Sequence, residues 1–228
     1  MNDIDVGTVY SRVFNIYGSQ FLTLFGTALV INLLTALGAV LLDGIAGGIL
    51  ISLVSVVVGA LYSGMVIKLV QDLEDGRRDS SIGELLSSVT PVLLPLLGIS
   101  ILLGIGIGIG FVLLIVPGLF LMTIWAVVTP VVVVERKGLG SFGRSQELVK
   151  GNGWAVFGCI IVAFLLAIVV GIIAGVIAGA IGGDVGIFIA NWLVPALASP
   201  VTALVAAVIY FSLRGWGAPE APTGLPVS

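Results

Sequence analysis

Long apolar runs separated by short polar stretches make up most of the chain. Six of these runs reach or approach the roughly 20 residues that a helix needs to cross a bilayer. They cover residues 20–42, 45–67, 90–114, 117–134, 153–181 and 186–213. We therefore predict an all-α polytopic membrane protein in which residues 1–214 form one six-helix domain. The tail 215–228 is rich in Pro, Ala and Gly, and we expect it to be disordered and cytoplasmic.

The composition supports a membrane protein and narrows its chemistry. Hydrophobic residues make up 59% of the chain and charged residues 9%, whereas roughly a quarter of a soluble domain is charged. The chain has no histidine, which removes the commonest general base and the commonest metal ligand. Its one cysteine, Cys159, excludes a disulfide within the chain. The N-terminus lacks the basic segment of a cleavable signal peptide, so we expect the first span to remain as an anchor.

The placement of the cations predicts the topology. If the six spans are correct, every Lys and Arg falls on one side of the membrane, and the opposite loops contain only Asp43 and Asp184. The nine cations are Arg12, Lys68, Arg77, Arg78, Arg136, Lys137, Arg144, Lys150 and Arg214. Because cytoplasmic loops are enriched in Lys and Arg, this bias favours an even number of spans. It predicts an inner-membrane protein with both termini in the cytoplasm.

A short amphipathic stretch precedes each pair of spans. In the first, apolar residues recur at helical spacing; in the second, Ser81 and Glu84 form a predicted capping box before an apolar face. In the third, Leu139, Phe142 and Val149 fall roughly on one side. The apolar faces of the first two stretches are Val6, Val9, Tyr10, Val13, Phe14 and Tyr17, and Ile82, Leu85, Leu86 and Val89. We predict three cytoplasmic interfacial helices, each followed by a hairpin, with the three hairpins parallel. Chance similarity among three amphipathic stretches is the alternative interpretation.

Glycine patterns inside the spans favour helix packing over ligand binding. The alternating stretch 104–110 lacks the strand, helix and Lys-Ser/Thr pair of a phosphate-binding loop. Glycines four residues apart let helices approach closely. The sequence therefore predicts packing positions at Gly104, Gly108, Gly171, Gly175 and Gly179, with Gly106 and Gly110 forming a second pair in the first group.

The interiors of the spans contain polar but not acidic or basic residues. Ionisable groups within a membrane usually mark ion pathways, so their absence counts against a proton-coupled transporter. Hydrogen bonds between helices explain most of the polar residues. The alternative is a polar cavity built around Asn32 and Asn191.

Catalytic residues are not evident. The carboxylates lie in loops, and the cluster in "QDLEDGRRDS" (71–80) is mixed with Arg77 and Arg78, as in a solvated loop. We predict that the protein is not an enzyme and that it uses no metal or cofactor. Nothing in the sequence indicates a nucleic-acid partner.

The region from the fourth to the fifth span resembles a known family. The stretch "VPGLFLMTIWAVVTPVVVVERKGLGSFGRSQELVKGNGWAVFG" is similar to the glycerophosphoryl diester phosphodiesterase membrane-domain family and to YciC-like inner-membrane proteins. The resemblance rests on Pro117-Gly118, Val134-Glu135, Arg144-Ser145, Leu148 and Lys150-Gly151-Asn152 before Trp154. Gly140 and Gly143 depart from it. Some relatives carry a soluble phosphodiesterase domain that is absent here, so the resemblance implies only an association with phospholipid or glycerophosphodiester metabolism.

These features together predict a non-enzymatic membrane domain that binds anionic lipid headgroups or partner proteins, or a second copy of itself. The predicted headgroup contacts are Arg77, Arg78, Arg136, Lys137, Arg144 and Lys150. The alternative function is a transporter or channel for a small neutral or lipidic solute, with a polar cavity near Asn32 and Asn191.

Overall fold

The computed structural model describes residues 4–42, 44–77 and 81–215, and these residues are helical without a strand. A short 3₁₀ turn, Thr90–Val92, precedes α5. The ten α-helices are α1 Val6–Ser19, α2 Phe21–Leu41, α3 Gly44–Glu74, α4 Ile82–Val89, α5 Leu93–Leu113, α6 Ile115–Ile124, α7 Val128–Glu135, α8 Gly140–Val149, α9 Gly153–Ile181 and α10 Gly183–Leu213. The predicted tail from 216 onwards, Arg78 and Asp43 lie outside the described residues.

The described part of the chain contains six helical segments long and apolar enough to cross a membrane, which confirms the prediction of an all-helical, multi-pass protein. These segments are Phe21–Gly38, Gly44–Glu74, Ile82–Leu113, Ile115–Glu135, Gly153–Ile181 and Trp192–Leu213. The second apolar run was predicted to end at residue 67, but its helix, α3, continues through a polar segment to Glu74.

The fourth span, predicted over 117–134 with a proline kink near its end, is broken into two helices. α6 ends at Ile124 and α7 begins at Val128. Pro130 provides the physical reason, because proline has no N–H to donate to the carbonyl of Ala126 and its ring clashes with that carbonyl. The Ser145 hydroxyl donates to the Ile124 carbonyl oxygen at 2.8 Å and so satisfies one acceptor at the break.

Close approach between α5 and α6 depends on glycines, but only on some of those predicted. A Cβ on Gly110 would lie 3.0 Å from the Gly118 Cα, and a Cβ on Gly106 would lie 2.7 Å from the Trp125 ring. At five other predicted positions a Cβ would meet no atom of the described chain within 4 Å: Gly104, Gly108, Gly171, Gly175 and Gly179. These five glycines therefore make no close helix contact within the described chain, and packing against a second copy, which the sequence leaves equally open, stays a prediction.

The packed core lies in the half of the bundle that contains the charged ends of the spans. α10 contacts α1, α2, α3, α7 and α9 and contributes the buried run Leu204, Val205, Ala207 and Val208 through Phe211. The opposite half is open: large apolar side chains of α3, α5, α6 and α9, such as Ile45, Val112 and Val176, are exposed on the isolated chain. Hydrocarbon is the medium that suits such side chains.

The three short helices place apolar residues against this core. In α1, Val9, Tyr10 and Val13 are buried, and the Tyr10 hydroxyl donates to the Cys159 carbonyl oxygen of α9 at 2.7 Å. Burial raises the pKa of the Tyr10 phenol. The apolar face predicted for α1 is therefore covered largely by protein, with Phe14 as its exposed member.

The sequence predicted the start of α4 correctly but not the apolar face at the start of α8. The capping box of α4 is present, with both reciprocal hydrogen bonds between Ser81 and Glu84. Leu139, just before α8, is exposed, and the buried residues of α8 are Ser141, Ser145 and Val149, so the predicted apolar face is wrong at its first position. Ser145 is buried because it reaches the break in the fourth span.

Candidate functional site

The charged side chains of the described residues meet at one end of the bundle, where they pair with each other. Arg12 of α1 forms an ion pair with Glu74 at the end of α3. Arg77, just beyond α3, lies 3.3 Å from a carboxylate oxygen of Asp75. Lys68 donates to the side-chain oxygen of Gln71 at 2.8 Å. This end joins four of the spans to α1 and α8 through polar contacts.

Glu135, the last residue of α7, is the centre of the largest polar network. Its carboxylate accepts a hydrogen bond from the Tyr210 hydroxyl at 3.1 Å and from Arg144 Nε at 3.2 Å. Lys137 Nζ lies 3.2 Å from the same carboxylate. Arg214 in turn donates to the Tyr210 hydroxyl at 2.9 Å. The Glu135 side chain is only 12% exposed, so this network ties α7, α8 and the end of α10 together in a largely dry environment.

A tight turn brings Arg144 back to Glu135. Arg136 has φ 55°, the left-handed conformation that ends many helices, and Gly138 repeats it with φ 55°. α8 then returns along α7, and Arg144 bridges Glu135 and Glu147. The hydrogen bond that Arg144 donates to Glu147, together with the charge of Glu135, raises the pKa of the Arg144 guanidinium. Arg144 is therefore a fixed structural cation.

The six predicted headgroup residues thus divide into two groups. Arg77, Lys137 and Arg144 are paired with carboxylates of their own chain. Arg136 and Lys150 are exposed and form no ion pair with the residues that the structure describes. The sixth, Arg78, lies outside the described residues. Among the five of these residues that the structure describes, Arg136 and Lys150 are therefore the cations without a carboxylate partner.

An apolar groove has one wall that begins at Gly153, three residues after Lys150 in the chain. It has a volume of about 410 Å³ and runs between α6 and the start of α9. Its lining residues are Val116, Leu119, Phe120, Thr123, Ile124, Gly153, Trp154 and Phe157. The α6 residues span about 12 Å at 1.5 Å per residue. We call this feature the α6/α9 groove.

The wall of the α6/α9 groove has little polar capacity of its own. Thr123 contributes a hydroxyl to the wall, and this hydroxyl already donates to the Leu119 carbonyl oxygen at 2.8 Å. Trp154, at the mouth, is 88% exposed. The turn that carries Lys150 is fixed to α1, because Asn152 Oδ1 accepts from the Ile4 N–H at 3.4 Å. The groove therefore offers an apolar channel that includes the amphipathic Trp154 ring, and Lys150 lies in the turn that leads into its α9 wall.

The polar side chains inside the spans mostly bond within their own helices. Asn32 donates to the Ala28 carbonyl oxygen, Thr35 to that of Asn32 and Ser52 to that of Gly48. The predicted hydrogen bonds between helices are thus not made by these three residues, because the preceding turn lies closer. Asn32 also lines a small polar pocket. The side chain of Asn191, its predicted partner, lies outside the described part.

Sequence reasoning missed the central residues of this end. Glu135 was noted only as the end of an apolar run, and Tyr210 and Ser145 were not considered as polar contacts. One signal was available: a carboxylate that directly follows four valines is carried partly into the packed region by its helix. The α6/α9 groove had no comparable signal, because its two walls are far apart in the sequence.

No protein-family model, curated protein or solved structure matches the chain. The resemblance to the phosphodiesterase membrane-domain family therefore stays a prediction.

Proposed function

We propose that the protein is a non-enzymatic inner-membrane domain that binds an anionic phospholipid. One acyl chain occupies the α6/α9 groove, and the headgroup meets Lys150. In this proposal both termini are cytoplasmic, and α1, α4 and α8 lie at the cytoplasmic surface before three parallel hairpins. The resemblance adds a link to phospholipid or glycerophosphodiester metabolism as part of the proposal.

One observation carries the proposal: an apolar groove on two membrane-crossing helices is lined by an exposed tryptophan, which follows by four residues a lysine that forms no ion pair with the described residues. Tryptophan favours the headgroup level of a bilayer, so Trp154 is consistent with a groove that opens there. Acyl chains are the apolar molecules that surround such helices. A lysine near the surface attracts anionic lipid by about 1 kcal/mol.

The charge of the surrounding loop also supports an anionic headgroup. Residues 135–150 contain four cations and two carboxylates, which gives a formal charge of +2. The two carboxylates, Glu135 and Glu147, are engaged with Arg144 and Lys137. The remaining positive charge is therefore carried by Arg136 and Lys150, and Lys150 is three residues from the groove wall at Gly153.

Native mass spectrometry of the protein, extracted gently from its own membrane, tests the proposal. We expect a retained anionic phospholipid that is lost in Lys150→Gln and in Gly153→Phe, since the latter ring would fill the open space at the groove mouth. The matched controls are Arg77→Gln, a cation already paired, and Gly143→Phe, a glycine with equally open surroundings on α8. Equal lipid retention by all four variants would refute the proposed site.

A further inference from the structure

A second feature lies away from the charged end, between the middles of three spans. Asn32 of α2, Tyr62 of α3 and Ser199 of α10 line a pocket of about 110 Å³. The other lining residues are Ile31, Thr35, Ser55, Val58 and Gly59. A single water needs only roughly 10–15 Å³ of such space, so the pocket is large enough for several waters or one small molecule. We call it the midspan pocket.

The walls of the midspan pocket hold unused hydrogen-bonding capacity. The buried Ser199 hydroxyl lies close to the Tyr62 hydroxyl and has no other hydrogen-bond partner within the part of the chain that the structure describes. Tyr62 donates its hydroxyl proton to the Leu24 carbonyl oxygen at 3.0 Å, which leaves its oxygen as an acceptor. Asn32 uses one amide hydrogen on its own helix, so a second hydrogen and the side-chain oxygen remain.

Buried polar groups without partners are unfavourable in hydrocarbon, where water cannot reach them from bulk solvent. The pocket opens beside Ser55 and Gly59, which are exposed on the surface of α3. An occupant that enters from this side must cross the acyl layer. No Asp, Glu, Lys, Arg or Cys is among the lining residues, so nothing there would stabilise a charged occupant.

We infer that the midspan pocket binds small uncharged molecules that carry hydroxyl groups: a cluster of waters or a small polyol such as glycerol. The occupant donates to the Tyr62 oxygen and to the Asn32 side-chain oxygen, and it exchanges a hydrogen bond with the Ser199 hydroxyl. This inference is independent of the lipid site, because the two sites share no lining residue.

Thiol modification tests this inference on the full-length protein in lipid nanodiscs. The native Cys159 is first replaced in a Cys159→Ala background, and Ser199→Cys then places one thiol in the pocket. The control is Ala196→Cys, which is fully buried one turn earlier on α10 and does not line the pocket. Ser55→Cys at the opening is a second pocket variant in case Ser199→Cys does not fold.

The probe is methyl methanethiosulfonate, a small neutral reagent, compared with its negatively charged sulfonatoethyl analogue. Because the thiolate is the reacting form and needs a polar environment, we expect Cys at 199 or 55 to react roughly tenfold or more faster than Cys at 196. We also expect the neutral reagent to react faster than the charged one at the pocket.

Added glycerol distinguishes the two occupants. Slower modification of the pocket thiol in glycerol, without a change at position 196, identifies a polyol site. An unchanged rate in glycerol identifies water as the occupant. A pocket thiol as inert as the one at position 196 would show a dry pocket, and equal rates with the charged reagent would show that charge is accepted; either result would overturn the inference.

Discussion

Replacement of Glu135 by Ala removes the acceptor at the centre of the polar network. The fully buried Tyr210 loses a hydrogen bond to a charged group, which contributes about 1.5–3 kcal/mol. Arg144 and Lys137 have side chains that are 31% and 48% exposed, so each of their ion pairs contributes at most about 1 kcal/mol. We expect Glu135→Ala to lower the free energy of unfolding by about 2–4 kcal/mol. Glu135→Gln can still accept a hydrogen bond from Tyr210, so its free energy of unfolding should lie between those of the parent and Glu135→Ala.

Glu147 provides the matched control. It is the same residue type and contacts the same Arg144, but its side chain is 69% exposed. Glu147→Ala should therefore lower the free energy of unfolding by less than about 1 kcal/mol. Reversible unfolding in mixed dodecyl sulfate micelles, followed by circular dichroism, measures both variants. If Glu135→Ala is no more destabilising than Glu147→Ala, Glu135 is not the buried acceptor that holds α7, α8 and α10 together.

Three further predictions use paired positions or pH. Ser145→Ala should lower the free energy of unfolding by about 1–3 kcal/mol, because it leaves a carbonyl at the end of α6 unsatisfied. Ser141, one turn away, is buried without a partner among the described residues, so Ser141→Ala should leave the free energy of unfolding unchanged or raise it. Equal losses in the two variants would contradict the role of Ser145. Gly110→Ala should destabilise the protein by about 1–3 kcal/mol, because the added methyl group meets the α6 backbone, while Gly108→Ala should stabilise it by up to about 1 kcal/mol. The same denaturation assay measures both variants. A loss of stability in Gly108→Ala would indicate a contact outside the chain. A hydrogen bond from the Thr8 backbone N–H lowers the pKa of Asp5, so its contribution to α1 is complete above the ordinary carboxyl pKa and is lost as pH falls through the lowered value. The protection of the α1 amides, relative to the intrinsic exchange rate at each pH, should therefore fall in acid more in the parent than in Asp5→Asn, and identical pH profiles would exclude this cap as the cause.

The six spans were predictable because their signal is redundant. Each apolar run is long enough to read without knowledge of its neighbours, and charges lie only between the runs. Pro130 indicates a kink near the end of the fourth span, but a full break could not be predicted, because the effect of a proline on the carbonyl four residues earlier depends on whether a neighbour satisfies the freed groups. Ser145 does so from 21 residues away, and no local pattern reports that contact.

The candidate site was predictable only in outline. The gathering of cations at 136–150 could be read from the sequence, but their pairing could not, because Arg144 reaches Glu135 only through the left-handed turn at Arg136 and Gly138. The glycines show the same limit. The spacing identifies glycines four residues apart, but it does not show which side of α5 packs against α6. Gly110 lies on the packed side and Gly108 does not.

The contact between Tyr10 and Cys159 has a consequence for how the protein is made. The two residues are 149 positions apart, and at about 5–20 residues per second the ribosome takes roughly 7–30 s to produce the second after the first. During that interval the buried face of α1 has no α9 or α10 to cover it. The nascent chain must therefore keep Val9, Tyr10 and Val13 against lipid or an insertion factor until the fifth and sixth spans arrive. The packing of α1 can therefore be completed only after the fifth and sixth spans have been made.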